Sequence, residues 1–318
     1  MVRHFVDLFQ LSPAEARDLL DRAEARKGDR TPLLAGSTLG LLFEKPSLRT
    51  RVSFEAAISH LGGNAIFLNT KDVGLGVRES IADFARVISQ YVDAIAVRTF
   101  SHSTVTELAR HATVPVINAL CDSAHPCQAM ADMMTIRQAL GRLEGVKLVF
   151  VGDGNNVARS LAVASALLGL EFILACPEGY SFTGGFHERF AETFPGVPLR
   201  VDHDPFHAAK DADVIYTDVW ASMGQEDEAE ARRRVFEPYQ VNEPLLAEAH
   251  SDAIFLHCLP AHRGEEVSAA VMDGPRSLVI PQAANRLHFQ QELLVWLLHD
   301  SAKSRATRPR GIARKRSV

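Results

Sequence analysis

Phe43-Glu44-Lys45-Pro46-Ser47-Leu48-Arg49-Thr50-Arg51 follows the apolar run Leu39-Gly40-Leu41-Leu42 and precedes a segment, 52–61, with helical spacing. A buried strand that turns at Pro46 and opens a helix leaves the first N–H groups of that helix unpaired at the positive end of its dipole. Ser47 and Thr50 add hydroxyls, and Arg49 and Arg51 add planar guanidinium forks suited to phosphate. The stretch reads as an anion cradle or as a plain cap with a solvated basic face. Taken alone, it does not choose between them.

Outward from this stretch, strands and helices alternate. Upstream, Ser12 as a cap, Pro13 at the first helical position and Glu15 completing a capping box predict a helix ending near residue 25. Downstream, 65–68 is a strand, the loop 71–80 contains two glycines, and a helix covers 81–91. A strand over 94–97, a helix over 105–111 and a strand over 116–119 follow. Such alternation predicts a parallel sheet covered on both faces. Ligands of these sheets bind beyond the carboxyl ends of the strands, and Ser47, Arg98 and His125 each follow one.

A helix over 127–140 stops at Gly141, and a second α/β unit opens with a strand at 146–151, the turn Gly152-Asp153-Gly154-Asn155-Asn156 and a helix over 157–170. Further strands are expected at 171–175, 199–201, 214–216, 253–256 and 278–280, and a last helix at 287–298. The fold class is therefore α/β, with two domains that each hold a mainly parallel sheet flanked by helices. The boundary falls within 137–145.

Length and composition agree with this. The 318 residues suit two domains, and 47% hydrophobic with 23% charged residues is a soluble globular profile. No apolar run approaches the roughly 20 residues of a membrane span, and the N-terminus lacks a signal-peptide layout, so the default location is cytoplasmic. Formal charge is −5, yet the segment after Asp300 carries seven Lys and Arg residues and no acid, which leaves −12 on the body. General nucleic-acid or membrane binding is not expected of an acidic body, and the basic segment reads as a disordered tail. Cys121, Cys127, Cys176 and Cys258 form no Cys-x-x-Cys pair and read as reduced thiols.

The second-half motifs each carry two readings. The glycine-rich turn lacks the third glycine of a dinucleotide fingerprint, since Val157 stands there, and no acidic ribose ligand ends the next strand. Asn155 and Asn156 either cap a helix or offer amide donors to a carboxylate. His125-Pro126-Cys127-Gln128 sets an imidazole and an amide at a helix start, as packing or as donors to a carbonyl or phosphate oxygen. Asp218-Val219-Trp220-Ala221-Ser222-Met223-Gly224 is a loop able to grip an ammonium group, or an ordinary loop. Cys258, in His257-Cys258-Leu259-Pro260, is inert, metal-bound or functional. Metal ligation is not expected, because carboxylates at metal-site spacing are missing from the sequence around it. Asn285-Arg286 is expected to precede the last, core-packed helix.

Together, Ser47-x-Arg49-Thr50-Arg51, His125-Pro126-x-Gln128, Asp218-x-x-x-Ser222-Met223-Gly224, His257-Cys258-Leu259-Pro260 and the late Arg286 resemble the ornithine carbamoyltransferases. The resemblance spans 1–300 and implies a carbamoyl-phosphate domain over 1–137 plus the terminal helix 286–300, which packs back on it. It implies an ornithine domain over 138–285, closure of one domain on the other, and a homo-oligomer, a trimer or multiple of trimers, with sites at subunit boundaries. The residues beyond, 301–318, are the basic tail.

By position, the resemblance assigns Ser47, Leu48 (through its backbone), Arg49 and Thr50 to the phosphate, and Arg98, His125 and Gln128 to the carbamoyl end. Asn156, Asp218, Ser222 and Met223 would bind ornithine. Cys258 and Leu259 would sit where amine meets carbonyl, and Arg286 would reach the carbamoyl-phosphate side. Arg98, His125, Asp218 and Cys258 are the catalytic set, and no cofactor or metal is implied. Leu48 replaces the threonine of many relatives. Gly74 stands where others place a cross-subunit phosphate ligand, a role that Arg78 or a backbone amide would have to take over. The competing readings are an enzyme that carbamoylates another amine, such as an acylated ornithine, and a non-catalytic amino-acid-binding homologue. Arginine synthesis and the reverse use of citrulline require the same site.

Overall fold

The computed structural model describes residues 2–69, 78–221 and 226–306. Its first half is a four-stranded parallel sheet made of β1 (Thr38–Phe43), β2 (Asn64–Asn69), β3 (Ala94–Arg98) and β4 (Val116–Leu120), ordered β2-β1-β3-β4. Around it lie α1 (Pro13–Ala25), α2 (Leu48–His60), α3 (Ile81–Ile88), α4 (His102–His111) and α5 (Pro126–Leu140). The expected capping box is present: Glu15 N–H donates to Ser12 Oγ, and Ser12 N–H to Glu15 Oε2. In α4 the helix begins three residues earlier than expected because Ser101 caps it, and α3 ends three residues earlier, at Ile88.

The second half is a five-stranded parallel sheet ordered β7-β6-β5-β8-β9. Its strands are β5 (Lys147–Val151), β6 (Glu171–Ala175), β7 (Arg200–Asp202), β8 (Val214–Thr217) and β9 (Ile254–His257). Its helices are α6 (Asn156–Leu168), α7 (Phe186–Thr193), α8 (Pro205–Ala209), α9 (Ala229–Phe236), α10 (Glu243–Glu248) and α11 (Ala269–Met272).

The chain then returns to the first half as α12 (Val279–Ala306). Two expectations are corrected here. No strand forms at 278–280: Ser277 makes one isolated bridge with Phe255, and the next residues enter α12, whose third position is Pro281. Proline has no N–H to give a sheet but fits the first turn of a helix, where that donor is unpaired anyway. The terminal helix is thus longer than 287–298, with Asn285 and Arg286 inside it, and it continues to Ala306 into the segment read as a disordered tail.

One large core joins both halves, running from Phe5 and Leu19 through Met130 and Met133 to Phe150 and Tyr216. Along α12, Phe289 packs on Phe5 with ring centroids 6.1 Å apart, and Glu292 forms ion pairs with Arg22 and Arg26, both at 2.6 Å. Asn285 Nδ2 donates to Thr135 Oγ1 on α5 at 2.9 Å.

In each sheet the strand order reverses beside the first strand, and such a switch point opens a crevice at the carboxyl ends. Parallel register decides what lines it. Phe43 at the end of β1 sits beside Arg98 at the end of β3. Val151 sits beside Thr217, and Thr217 beside His257, so the turn after β5, Asp218 and Cys258 share one edge.

Candidate active site

The two edges face one cleft of about 1130 Å³, lined among others by Ser47, Arg49, Arg98, His125, Asn156, Asp218, Cys258 and Arg286. Ser47 takes extended backbone (φ −161°) as the N-cap of α2, where its Oγ accepts from Thr50 N–H at 3.3 Å. Arg51 N–H donates to Ser47 O, which leaves the amides of Leu48 and Arg49 as the open donors of the first turn. Leu48 is 77% exposed, so its backbone can serve the cradle while its side chain points away. Thr50 Oγ1 accepts from Ser47 Oγ at 3.1 Å and from Arg286 Nη2 at 2.7 Å. With both lone pairs occupied, its own O–H remains free to donate outward.

Arg98, His125, Gln128 and Arg286 are buried. Burial, and the neighbouring Arg286 and Arg49 charges, bring the Arg98 pKa down to about 10. Burial also lowers Arg286, with Arg49 adding to it. His125, at the N-cap position of α5, is pushed well below the usual histidine range by burial, then by Arg286 and Arg98. It is therefore neutral at pH 7. Among the described residues, Arg98 Nε, His125 Nδ1, Gln128 Oε1 and Arg286 Nε are buried without hydrogen-bond partners. Buried polar atoms are normally paired, so the three on Arg98, His125 and Arg286, which line the cleft, mark a place built for a polar ligand, with Gln128 one turn behind His125 on α5. Three guanidiniums repelling one another give that ligand its sign, which is negative.

On the opposite edge, Asp218 accepts from Cys258 Sγ at 3.0 Å through Oδ1 and from Asn155 Nδ2 at 3.0 Å through Oδ2. Burial, then the Asp218 carboxylate, raise the Cys258 thiol well above its ordinary pKa. Asn155 also caps α6, its Oδ1 accepting from Val157 N–H and Ala158 N–H. The capping reading of Asn155-Asn156 thus holds for Asn155. Asn156 Nδ2 reaches the Cys121 carbonyl at 2.6 Å and lies on the cleft wall.

Leu259 has φ +60°, the left-handed region that costs a non-glycine residue of order 1–3 kcal/mol. It is held there as its N–H donates to His257 Nδ1 at 2.9 Å, while His257 Nε2 meets the buried Glu266 at 3.1 Å. The result is a fixed run of backbone beside Cys258.

Several contributors were invisible in the sequence. Lys45, lowered in pKa by burial and by Arg98, lies over Phe100 and lines the cleft. Glu44 accepts from Phe100 N–H at 3.0 Å and from Thr99 Oγ1, fixing the loop after β3. Arg232 bonds Asp153 and the Trp220 carbonyl, tying the turn after β5 to the loop after β8. These are long-range pairings of common residue types, with no local pattern to reveal them. The expectation that carboxylates at metal-site spacing are missing near Cys258 is corrected as well. Asp218, His257 and Cys258 bring ligand atoms within 4.8 Å of one another, as do His262, Glu265 and Glu266. The expected ligands Ser222 and Met223, and Gly74, lie outside the described residues.

A family model described as the carbamoyl-P binding domain of aspartate/ornithine carbamoyltransferase matches residues 3–138, and one described as its Asp/Orn binding domain matches 144–297. The chain is 50% identical over 303 residues to an ornithine carbamoyltransferase of Anoxybacillus flavithermus, covering 93% of this chain and 96% of that protein. It is 55% identical over 270 residues to a Pyrococcus furiosus protein named ornithine carbamoyltransferase, anabolic, covering 84% and 85%. A solved ornithine carbamoyltransferase from Pyrococcus furiosus superposes with a TM-score of 0.89 at 51% identity, over 93% of this chain and 97% of that one.

Proposed function

Because the chain belongs to the aspartate/ornithine carbamoyltransferase family, we propose that it is an enzyme transferring the carbamoyl group of carbamoyl phosphate to the δ-amine of L-ornithine, giving L-citrulline and phosphate. The observation that carries this reading is the facing of two built edges across one cleft. One is an arginine-rich anion cradle at the start of α2, and the other is the hydrogen-bonded Asp218–Cys258 pair.

Carbamoyl phosphate brings a phosphate to the amides of Leu48 and Arg49, the Ser47 and Thr50 hydroxyls and the Arg49 side chain. Its charge relieves the repulsion among Arg49, Arg98 and Arg286. Neutral His125 and the guanidinium of Arg98 meet the carbonyl oxygen, and Gln128 Oε1 accepts from the carbamoyl NH2. Ornithine enters from the other edge, with Asn156 and Asp218 holding its α-amino-acid head together with Ser222 and Met223.

The δ-amine must shed a proton to attack, at a cost on the order of 4 kcal/mol at neutral pH for a lysine-like amine. Dehydration in the closed cleft lowers that cost. Attack on the carbonyl carbon forms the new C–N bond and places negative charge on the oxygen. Fixed donors at Thr50, Arg98 and His125 stabilise it, and collapse breaks the C–O bond to release phosphate, which takes the proton that the former amine nitrogen must lose. The backbone at Cys258 and Leu259 lines the point of attack.

Residues 1–137 with the terminal helix form the carbamoyl-phosphate part and 138–285 the ornithine part, with α12 beginning its return at Val279. Among the described residues, no helix is long and apolar enough to cross a membrane. Arginine biosynthesis is the setting that fits the similarity to the anabolic Pyrococcus protein, and a cytoplasmic homotrimer, or multiple of trimers, is what the resemblance in motifs implies.

The test is a citrulline assay offering ornithine, N-acetylornithine and putrescine in parallel. Ornithine should be the preferred acceptor, and Arg49→Ala should lower kcat/KM by about 10²–10³-fold, as loss of a charge-stabilising donor does. A purified protein inactive with ornithine sinks the reading, and preference for the acetylated acceptor replaces it with the acyl-ornithine alternative.

A further inference from the structure

Behind the cleft, one carboxylate that the proposed chemistry leaves unused collects three hydrogen bonds. Asp132, on the second turn of α5, is wholly buried. Its Oδ1 accepts from Gln128 Nε2 at 2.8 Å and from Gln282 Nε2 at 2.7 Å, and its Oδ2 from the Tyr216 hydroxyl at 3.0 Å. Gln282 Nε2 also donates to Tyr216 Oη at 3.1 Å, and Gln282 Oε1 accepts from His257 N–H at 3.0 Å. A knot of four buried side chains thus joins α5 of the first half to the ends of β8 and β9. Asp218 lies two residues beyond Tyr216, and Cys258 directly follows His257.

A carboxylate only accepts, so an amide that meets it must turn its nitrogen inward. For Gln128 the consequence is directional: with Nε2 spent on Asp132, Oε1 is the atom left over, buried and without a partner among the described residues. The reverse orientation would set two oxygens against each other. Gln282 is fixed the same way, with its Oε1 facing the His257 amide. Burial raises the Asp132 pKa to about 6, while its three hydrogen-bond donors and Arg286 favour the charged form, so the group is an anion at neutral pH.

Resting on the carbamoyl-transfer reading above, we propose that Asp132 is a positioning residue for the transfer. It acts through Gln128, holding that amide with its oxygen toward the carbamoyl NH2. A carbamoyl group carries two N–H donors on the side away from its phosphate, and among the groups assigned to its end of the site Arg98 and His125 are placed for its oxygen. Gln128 answers the nitrogen only while Asp132 keeps it turned.

The experiment is a double-mutant cycle between Asp132→Asn and Gln128→Ala, read by steady-state citrulline formation. Asp132→Asn keeps the size but replaces one acceptor oxygen by a donor. Its kcat should fall about 10–100-fold, the worth of a misdirected buried hydrogen bond, while KM for carbamoyl phosphate stays within about threefold because the α2 cradle is untouched. In the Gln128→Ala background the same change should cost far less, since the group it acts through is gone. Independent multiplication of the two losses, or an unchanged kcat in Asp132→Asn, overturns the proposal. Should Asp132→Asn fail to fold by circular dichroism, Tyr216→Phe substitutes for it. Removing one of the three donors should lower kcat about 3–10-fold, again non-additively with Gln128→Ala, and an unchanged or additive kcat overturns the proposal. Wild-type turnover of ornithine tests the activity and the cycle tests Asp132, so the two failures are distinct.

Discussion

At the scale of single residues, the site works by setting protonation states before any substrate arrives. Cys258 is the case most open to direct measurement. A thiol loses a proton to become nucleophilic, and both burial and the adjacent Asp218 carboxylate oppose that loss, so its pKa moves up. At pH 8, below the raised value, Cys258 stays a thiol and donates to Asp218. Alkylation by iodoacetamide, followed by peptide mass spectrometry, should be at least about tenfold slower than for an unperturbed cysteine of pKa near 8.5. Modification at the ordinary rate would show that Asp218 and Cys258 do not share a proton as described. The residues proposed to touch substrate were largely legible in sequence because they sit in short motifs at strand ends. Asp132, Tyr216 and Gln282 were not, since a buried polar knot assembled from α5, β8 and α12 leaves no spacing to read. Asp218 beside Cys258 was hidden for the same reason: forty positions separate them in the chain, and only parallel register brings them together.

At the scale of elements, alternation of apolar runs with capped amphipathic segments placed all nine strands of the described residues, with β7 and β9 displaced by one residue, and added a tenth that does not form. It erred where local preference and tertiary context diverge. Leu278-Val279-Ile280 is β-branched and apolar enough to pass for a strand, yet it opens α12 because Pro281 cannot extend a ladder and the helix has a buried face to fill. What holds that helix is partly ionic. Glu292 is 0% exposed and answers Arg22 and Arg26 of the first half, each at 2.6 Å. Glu292→Ala should strand two arginines at the rim of the core and cost about 2 kcal/mol, less than a fully buried pair because Arg22 is partly solvated. Thermal unfolding should therefore shift down by several degrees with ornithine turnover per folded molecule unchanged. An unaltered melting temperature would show that packing of Phe289 and its neighbours suffices.

At the scale of the whole molecule, four of the exposed apolar side chains lie on two elements that touch, α2 and β2. Leu48 and Val52 on α2 and Ile66 and Phe67 on the edge strand β2 are solvent-facing in the single chain. An open edge strand with large apolar residues invites association, and the proposed trimer is the form this surface would serve. Ile66→Lys, at a position 45% exposed in the isolated chain, should shift the mass measured by light scattering toward the single subunit while leaving the melting transition cooperative. A wild-type protein that already scatters as one subunit would remove the oligomer from the proposal.

The return of α12 to the first half also sets an order of events during synthesis. Phe289, Leu293 and Leu294, which complete the core around Phe5 and Leu19, are among the last described residues the ribosome delivers. The helices α1, α2 and α5, although made early, stay uncovered on that flank until the second sheet has been translated and α12 has emerged. A nascent chain paused anywhere before residue 279 therefore exposes an unfinished apolar seam. The second half holds a further core of its own between β5, β8 and β9, but its other face belongs to the core shared with the first half, so both halves wait for α12.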